Sequence, residues 1–196
     1  MPFEPLPSNR LPRRVFLLMP IAFGGMVALF YRQERTLPEA AQGGLGPLVP
    51  LVLFSTSGVC QGTRQVQKLL LTEAEWHRQL TSLEYAITRQ GGTELAFTNR
   101  YWNHHGLGLY RCVCCGNALF RSQDKFNSGT GWPSFSAPIA PENVDTRMDK
   151  SLGLQRREVL CRKCDAHLGH VFDDGPPPSG ARYCVNSIAL RFTASV

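Results

Sequence analysis

Two Cys-x-x-Cys pairs constrain this chain more than any other feature. Cys112-Val-Cys114-Cys115 and Cys161-Arg-Lys-Cys164 each place two sulfurs one tight turn apart. That spacer lets one turn aim both sulfurs at a single ion, with metal–sulfur bonds near ~2.3 Å for zinc. Together Cys112, Cys115, Cys161 and Cys164 make a four-thiolate zinc shell, closed and therefore structural rather than catalytic. The 45 residues between the pairs exceed the usual ribbon spacing, so a sizeable insertion separates the two turns. Two independent disulfides are the bland alternative, open to an exported chain. Another alternative gathers Cys161, Cys164, His167 and His170 around their own ion and strands the first pair. A c-type haem in its usual form is excluded, because Asp165 and not His follows Cys164.

The chain has 196 residues and 11 Phe, enough for one ordinary domain with a normal core plus an extension. Residues 1–71 hold seven Lys/Arg against three acids, and residues 72–196 hold 14 against 12. The basic excess therefore sits mostly in the N-terminal extension. A nucleic-acid surface is not expected, since such surfaces show Lys/Arg stripes on the folded domain.

Val15–Tyr31 is an uncharged run of 17 residues, bracketed by Arg10, Arg13 and Arg14 and by Arg32 and Arg35. A basic start followed by an apolar run is the pattern of a bacterial secretory signal or signal anchor. Arg13-Arg14 followed by Val-Phe-Leu-Leu also fits a twin-arginine export signal. Residues 1–35 are expected to be a signal or membrane anchor, retained because no A-x-A cleavage site follows Tyr31. The arginine balance places the domain outside, in the bacterial cell envelope at the inner membrane or in the periplasm. An organellar presequence is the alternative. Residues 36–48 are Pro/Gly-rich and read as a linker, and residues 49–196 as the domain.

Leu51–Phe54 and Val66–Leu71 are short apolar runs around Ser57-Gly58 and Gly62, which predict a hairpin. Thr72-Glu-Ala-Glu75 is a capping box that starts a short helix to about Leu80, and a second helix begins near Thr81 or Ser82. From Tyr101 onward, short apolar stretches alternate with Gly, Pro, Asn and Asp, the pattern of a mainly β fold with antiparallel strands and long loops.

Three cysteines lie outside the four-sulfur set. Cys114 is a bystander inside a turn, and Cys60 lies in the hairpin. Cys184 sits in Arg182-Tyr-Cys-Val-Asn-Ser-Ile-Ala-Leu-Arg-Phe192, which alternates as a strand and puts Arg182, Cys184 and Asn186 on one face. A nearby guanidinium favours thiolate, and Asn186 could hold a polar group. On spacing alone, a lone strand cysteine is more often core than nucleophile. His167 and His170 are likewise more often structural than acid/base.

These residues resemble one family, the type B methionine sulfoxide reductases, which act on the R epimer at sulfur. The resemblance is carried by Tyr110–Phe120, Lys125–Phe135 with Gly-Thr-Gly-Trp-Pro-Ser-Phe, Cys161–Pro176 and Arg182–Phe192. It covers about residues 69–193, with weaker likeness near Thr88-Arg89 and Gly92-Thr-Glu94. It implies two small antiparallel sheets with short N-terminal helices and a structural zinc ion opposite the active site. It further implies that Cys184 is the nucleophile, passing through a sulfenic acid. His167 and His170 would bind and protonate the sulfoxide oxygen, and Asn186 would support them. Trp132 would pack on the substrate methyl group, Arg182 would lie near the thiolate, and Asp173 and Asp174 would stand behind the site. The substrate would be oxidised methionine, in proteins or free, and the reductant thioredoxin-like. One position departs: many members carry a resolving cysteine where this chain has Thr130. Either Cys60 swings in to form a disulfide or an external thiol reduces the sulfenic acid directly, and direct reduction is favoured. A zinc-knuckle binding module without turnover is the competing class.

Overall fold

The computed structural model describes residues 44–195. The segment read as signal or anchor lies outside the described residues, as do residues 36–43 of the expected linker. Among the described residues no helix is long and apolar enough to cross a membrane.

The chain enters as a long antiparallel hairpin, β1 (Gly44–Phe54) and β2 (Cys60–Leu70). It is longer than the apolar runs suggest, and residues 44–48, which composition assigns to a linker, are strand. Pro47 is accommodated by a register shift between Leu45 and Leu48, as a residue without an N–H requires in a ladder. The hairpin is fastened to the body through polar groups. The Asn143 side chain accepts from the Val52 amide and donates to the Val52 and Ala118 carbonyls, all at 2.8–2.9 Å. Arg111 donates to the carbonyls of Phe54 and Ser55. The Leu69 amide donates to the Lys163 carbonyl, and Lys68 pairs with Asp165 at 2.7 Å.

Two capping boxes start the helices. Thr72 caps α1 (Glu73–Gln79) with Glu75 reaching back to the cap amide, and Thr81 does the same for α2 (Ser82–Gln90) with Glu84. Each box satisfies two otherwise unpaired helix donors. α2 stops at Gly91, which is left-handed with φ 70°, a conformation that glycine adopts without a Cβ penalty.

The remainder is β3 (Gly108–Cys112), β4 (Ala118–Arg121), β5 (Lys125–Phe126), β6 (Ser134–Phe135), β7 (Val144–Asp149), β8 (Arg156–Cys161), β9 (His167–Phe172), β10 (Arg182–Val185) and β11 (Leu190–Ala194). A six-stranded sheet runs β5-β6-β10-β9-β8-β7 and a three-stranded sheet runs β11-β3-β4. The fold is thus mainly β and antiparallel, with three sheets where two are expected, because the hairpin forms one of its own. Tyr110 and Phe120 of the smaller sheet meet Phe135 of the larger. Phe120 stacks on Phe135 at 4.4 Å, and Tyr110 meets its edge at 5.0 Å. All three are fully buried, and Trp76, Leu80, Tyr85 and Ile87 of the helices join the same core.

The run from Arg182 to Phe192 is not one strand. It breaks at Asn186 into β10, a short 3-10 turn over Ser187–Ala189, and β11 in the other sheet. The break is held by Glu94, whose buried carboxylate accepts from the Ser187 and Ile188 amides at 2.7 and 2.9 Å. Burial pushes this carboxyl above the usual range, against the hydrogen bonds it receives from Ile188 and Ser187. Arg182 and Cys184 do share a strand face, whereas Asn186 stands just past the strand end.

The fastening of the hairpin gives a first test. Asn143 is fully buried, so Asn143→Ala strands three backbone groups at once. It is expected to destabilise the protein by about 2–3 kcal/mol, read as a lower urea midpoint with an unchanged slope.

Candidate active site

The six-stranded sheet brings distant residues into one row. Glu158 of β8 lies opposite His170 of β9, His170 opposite Cys184 of β10, and Cys184 opposite Ser134 of β6. Residues paired across strands project from the same face. Next to this row stand Asp149 of β7, opposite Arg156 of β8, and Arg182 of β10, opposite Phe172 of β9. Gly169 permits this register, because a Cβ there would collide with the Cys184 carbonyl oxygen.

A cavity of roughly 160 Å³ opens over this face, lined by Cys184, His170, Trp132, Asn186, Phe172, Arg156 and Thr93. It has room for about one amino-acid side chain, and Trp132 and Phe172 are the aromatic residues in its wall. Trp132 is held by its indole N–H, which donates to the Glu94 carbonyl at 3.1 Å. The same loop is clamped once more by the Phe97 amide on the Gly131 carbonyl.

The Cys184 thiol is half-buried, and burial pushes it above its ordinary value. The charge of Arg182 and hydrogen bonds from Thr130, Arg182 and Ser134 work the other way. Thr130 and Ser134 are themselves linked through the Ser128 hydroxyl, at 2.8 and 2.7 Å. Arg182 does not line the cavity. It lies behind Cys184, forked onto both oxygens of Asp174 at 2.8 and 3.0 Å and stacked 4.6 Å over Phe172. Asp173 faces away and pairs with the exposed Arg157.

The two histidines are tied by opposite nitrogens. His170 lines the cavity and bonds Asp149 through Nε2 at 2.8 Å. His167 is buried, bonds Glu158 through Nδ1 at 2.6 Å, and has no partner for Nε2. Burial pushes the His167 imidazole down, against the pull of Glu158. His167 does not line the cavity, although its ring centroid lies 5.5 Å from that of His170. Asn186 lines the cavity, but both ends of its amide are used by backbone. It accepts from Glu94 and donates to Leu168.

Asp149, Arg156, Glu158 and Phe172 are the residues of this face that the sequence reading did not single out. For the three charged residues the signal is only a run of charges in the 145–158 region, and it carries meaning once the register pairs Asp149 with Arg156 and Glu158 with His170.

The four expected metal ligands come together away from the cavity. The sulfurs of Cys112, Cys115, Cys161 and Cys164 all lie within 4.8 Å of one another. Cys112 and Cys164 are 3.7 Å apart, and Cys115 and Cys161 3.5 Å. A tetrahedron with metal–sulfur bonds of ~2.3 Å has edges of about 3.8 Å, whereas a disulfide spans ~2.05 Å. The cluster therefore fits an ion and none of its cysteines is bridged. His167 and His170 are engaged by carboxylates and take no part in it. Cys114 donates to the Thr88 hydroxyl at 3.3 Å beside the cluster. Cys60 is exposed at the start of β2 and does not line the Cys184 cavity.

The SelR domain family matches residues 80–194. The chain is 53% identical over 129 residues to the peptide methionine sulfoxide reductase MsrB of Herminiimonas arsenicoxydans, covering 66% of this chain and 94% of that protein. It is 58% identical over 121 residues to the protein of the same name from a Synechococcus strain, covering 62% of this chain and 89% of that one. For the Acinetobacter baylyi protein of that name the figures are 56% over 124 residues, 63% and 89%. With the family matching more than half of its length and relatives aligned over nearly all of theirs, this chain belongs to the SelR domain family of peptide methionine sulfoxide reductases of the MsrB kind.

Proposed function

We propose that the protein reduces methionine-R-sulfoxide, in proteins or as the free amino acid, to methionine. The observation that carries this is the cross-strand pair of Cys184 and His170, opening together onto a cavity walled by Trp132. A sulfoxide has an electrophilic sulfur and a basic oxygen, so its reduction needs a thiolate and a proton donor side by side. The Cys184 thiolate attacks the sulfoxide sulfur and the oxygen takes a proton from His170. As the sulfur–oxygen bond breaks, the oxygen ends with its proton on Cys184, which becomes a sulfenic acid. Methionine leaves with its sulfur reduced by the two electrons that Cys184 has lost. Trp132 packs on the methyl group, a favourable sulfur–aromatic contact. Arg182 and the hydroxyls of Thr130 and Ser134 offset the cost of a charged sulfur in a half-buried site. His167 and Asn186 hold the surroundings of His170.

Regeneration needs an outside thiol, because Thr130 stands where a resolving cysteine would be and no second cysteine lines the cavity. One thiol of a thioredoxin-like reductant attacks the sulfenic sulfur, releases water and forms a mixed disulfide. Its second thiol breaks that bond, returning the Cys184 thiol and leaving the reductant as a disulfide. The four-cysteine cluster holds zinc through Cys112, Cys115, Cys161 and Cys164, and the ion contributes stability to the fold. The N-terminal segment 1–35 anchors the domain at the bacterial inner membrane, with residues from about 49 onward in the envelope.

Three results are expected. With dithiothreitol, the R epimer of a blocked methionine sulfoxide is reduced and the S epimer is not, and Cys184→Ser removes turnover while leaving the fold intact. Reduction of neither epimer by folded, metal-loaded protein would sink the reading in favour of a binding module. Elemental analysis finds one zinc per chain, and Cys112→Ser loses both the metal and cooperative unfolding, since binding of a structural ion is itself folding free energy. Finally, the raised Cys184 thiol makes alkylation of Cys184 accelerate with pH, with a half-point above the ~8.5 of a free cysteine. A half-point below that value would contradict the burial argument.

A further inference from the structure

The family reading assigns His170 a proton to deliver and leaves open which ring nitrogen delivers it. The structure bears on that through Asp149. Its Oδ1 accepts the Ser151 amide at 2.8 Å. Its Oδ2 accepts both Arg156 Nη2 and His170 Nε2, each at 2.8 Å. The hydrogen bonds from Ser151, followed by that of His170 and the charge of Arg156, hold its carboxyl far below the usual carboxylate range. An ionised carboxylate only accepts, so His170 Nε2 carries a hydrogen in every state in which this contact is made. Nδ1 makes no hydrogen bond to the protein among the described residues, and the ring lines the cavity beside its cross-strand neighbour Cys184.

We infer that Asp149, on the edge strand β7, is the positioning residue of the reaction: it takes the Nε2 hydrogen of His170 and leaves Nδ1 as the atom that gives its proton to the sulfoxide oxygen. When Nδ1 loses that proton, His170 becomes the neutral Nε2–H tautomer, still bonded to Asp149, and recovers a proton on Nδ1 from solvent. The proton transfer changes no oxidation state; the two electrons pass from Cys184 to the sulfoxide sulfur. The arrangement also separates the two histidines. His167 is tied by Nδ1 to Glu158, is buried, and stands off the cavity, so it supports the ring beside it and does not touch substrate. Arg156 has a second role in this assembly. It closes the cavity wall and at the same time fixes the oxygen that aims His170.

The inference rests on the reductase reading, and its test separates the two. Full-length, zinc-loaded protein is labelled with 15N-histidine, and His170 is assigned by loss of its signals in His170→Gln. Long-range proton–nitrogen spectra above the imidazole titration then report its tautomer, whether or not the protein turns over. Wild type is expected to show Nε2–H at His170. Asp149→Asn, whose amide can donate to Nε2, is expected to shift His170 toward Nδ1–H, and Asp149→Ala to leave a mixture. Single-turnover release of methionine from the R epimer should fall about ten- to a hundredfold in Asp149→Asn, the scale on which partners that orient an imidazole act. Substrate affinity should change by less than about threefold, because Asp149 does not line the cavity. An unchanged tautomer in both variants, or a rate within about twofold of wild type, overturns the inference. So does a faster reaction, which would make the contact a latch that substrate has to open.

Discussion

The gathering of four sulfurs is the constraint on which the rest depends. Cys112 and Cys115 sit at the turn between β3 and β4, and Cys161 and Cys164 at the turn between β8 and β9. Bringing them within 4.8 Å joins a hairpin of the three-stranded sheet to a hairpin of the six-stranded one. Four thiolates so close repel one another unless a cation sits among them, so the join is strong only in the metal-bound form. The surrounding backbone reinforces it: Arg89 of α2 donates to the Cys164 carbonyl, and the Asn117 amide donates to the Asn143 carbonyl and approaches the Cys161 sulfur. The N-terminal hairpin reaches both turns, through Arg111 on one side and Lys163 and Asp165 on the other. Chemistry is kept at a distance from this centre, and no ligand cysteine lines the Cys184 cavity.

What the join fixes is the register of the larger sheet, and register makes the site. β8 and β9 descend from one cysteine turn, and a bulge between Val159 and Leu160 shifts their register by one residue, which sets Glu158 opposite His170. β10 adds Cys184 beside His170, and β6 adds Ser134 beside Cys184. A slip of one residue on any of these strands would send its site residue to the opposite face. The thiol then meets two opposed demands. Burial lets a small apolar methyl group be recognised, but it disfavours the thiolate. Arg182 and a chain of hydroxyls supply the compensation, and Asp174 holds Arg182 so that its charge is spent at the sulfur and not in solvent.

Much of this was legible before the structure. The Cys-x-x-Cys spacing announces the cluster, the Thr72-to-Glu75 box announces the start of α1, the start of α2 is placed to Thr81 or Ser82, and the alternation around Cys184 puts Arg182 on its face. These are local signals, each contained in a few neighbouring residues. What escaped is non-local. Asp149 and Arg156 look like surface charges until β7 is paired with β8, and Glu158 looks like one until β8 is paired with β9. The continuous strand expected from Arg182 to Phe192 fails because Glu94, some ninety residues earlier, captures the Ser187 and Ile188 amides and turns the chain into a second sheet. The linker expected through residue 48 is strand from Gly44 onward because Gly44, Leu45 and Leu48 pair with β2 while Gly46 and Pro47 are carried in a register shift between them, which propensity alone does not reveal.

Thr130 draws these points together. Its hydroxyl and that of Ser134 are both linked to the Ser128 hydroxyl, and both act on the Cys184 thiol. The hydroxyls thus favour the thiolate, as Arg182 does, and work against burial. A hydroxyl also cannot form a disulfide, so in the proposed cycle a sulfenic acid on Cys184 has no second cysteine among the residues lining its cavity. The cavity through which methionine sulfoxide enters is then the cavity through which a reducing thiol must come. Methionine has to leave before the reductant arrives, and the two half-reactions share one mouth in turn. A cysteine on a mobile loop would let a disulfide be presented elsewhere on the surface. With Thr130 fixed in a hydroxyl chain against β6, the direct reduction proposed above requires a reductant whose reactive thiol can enter the Cys184 cavity.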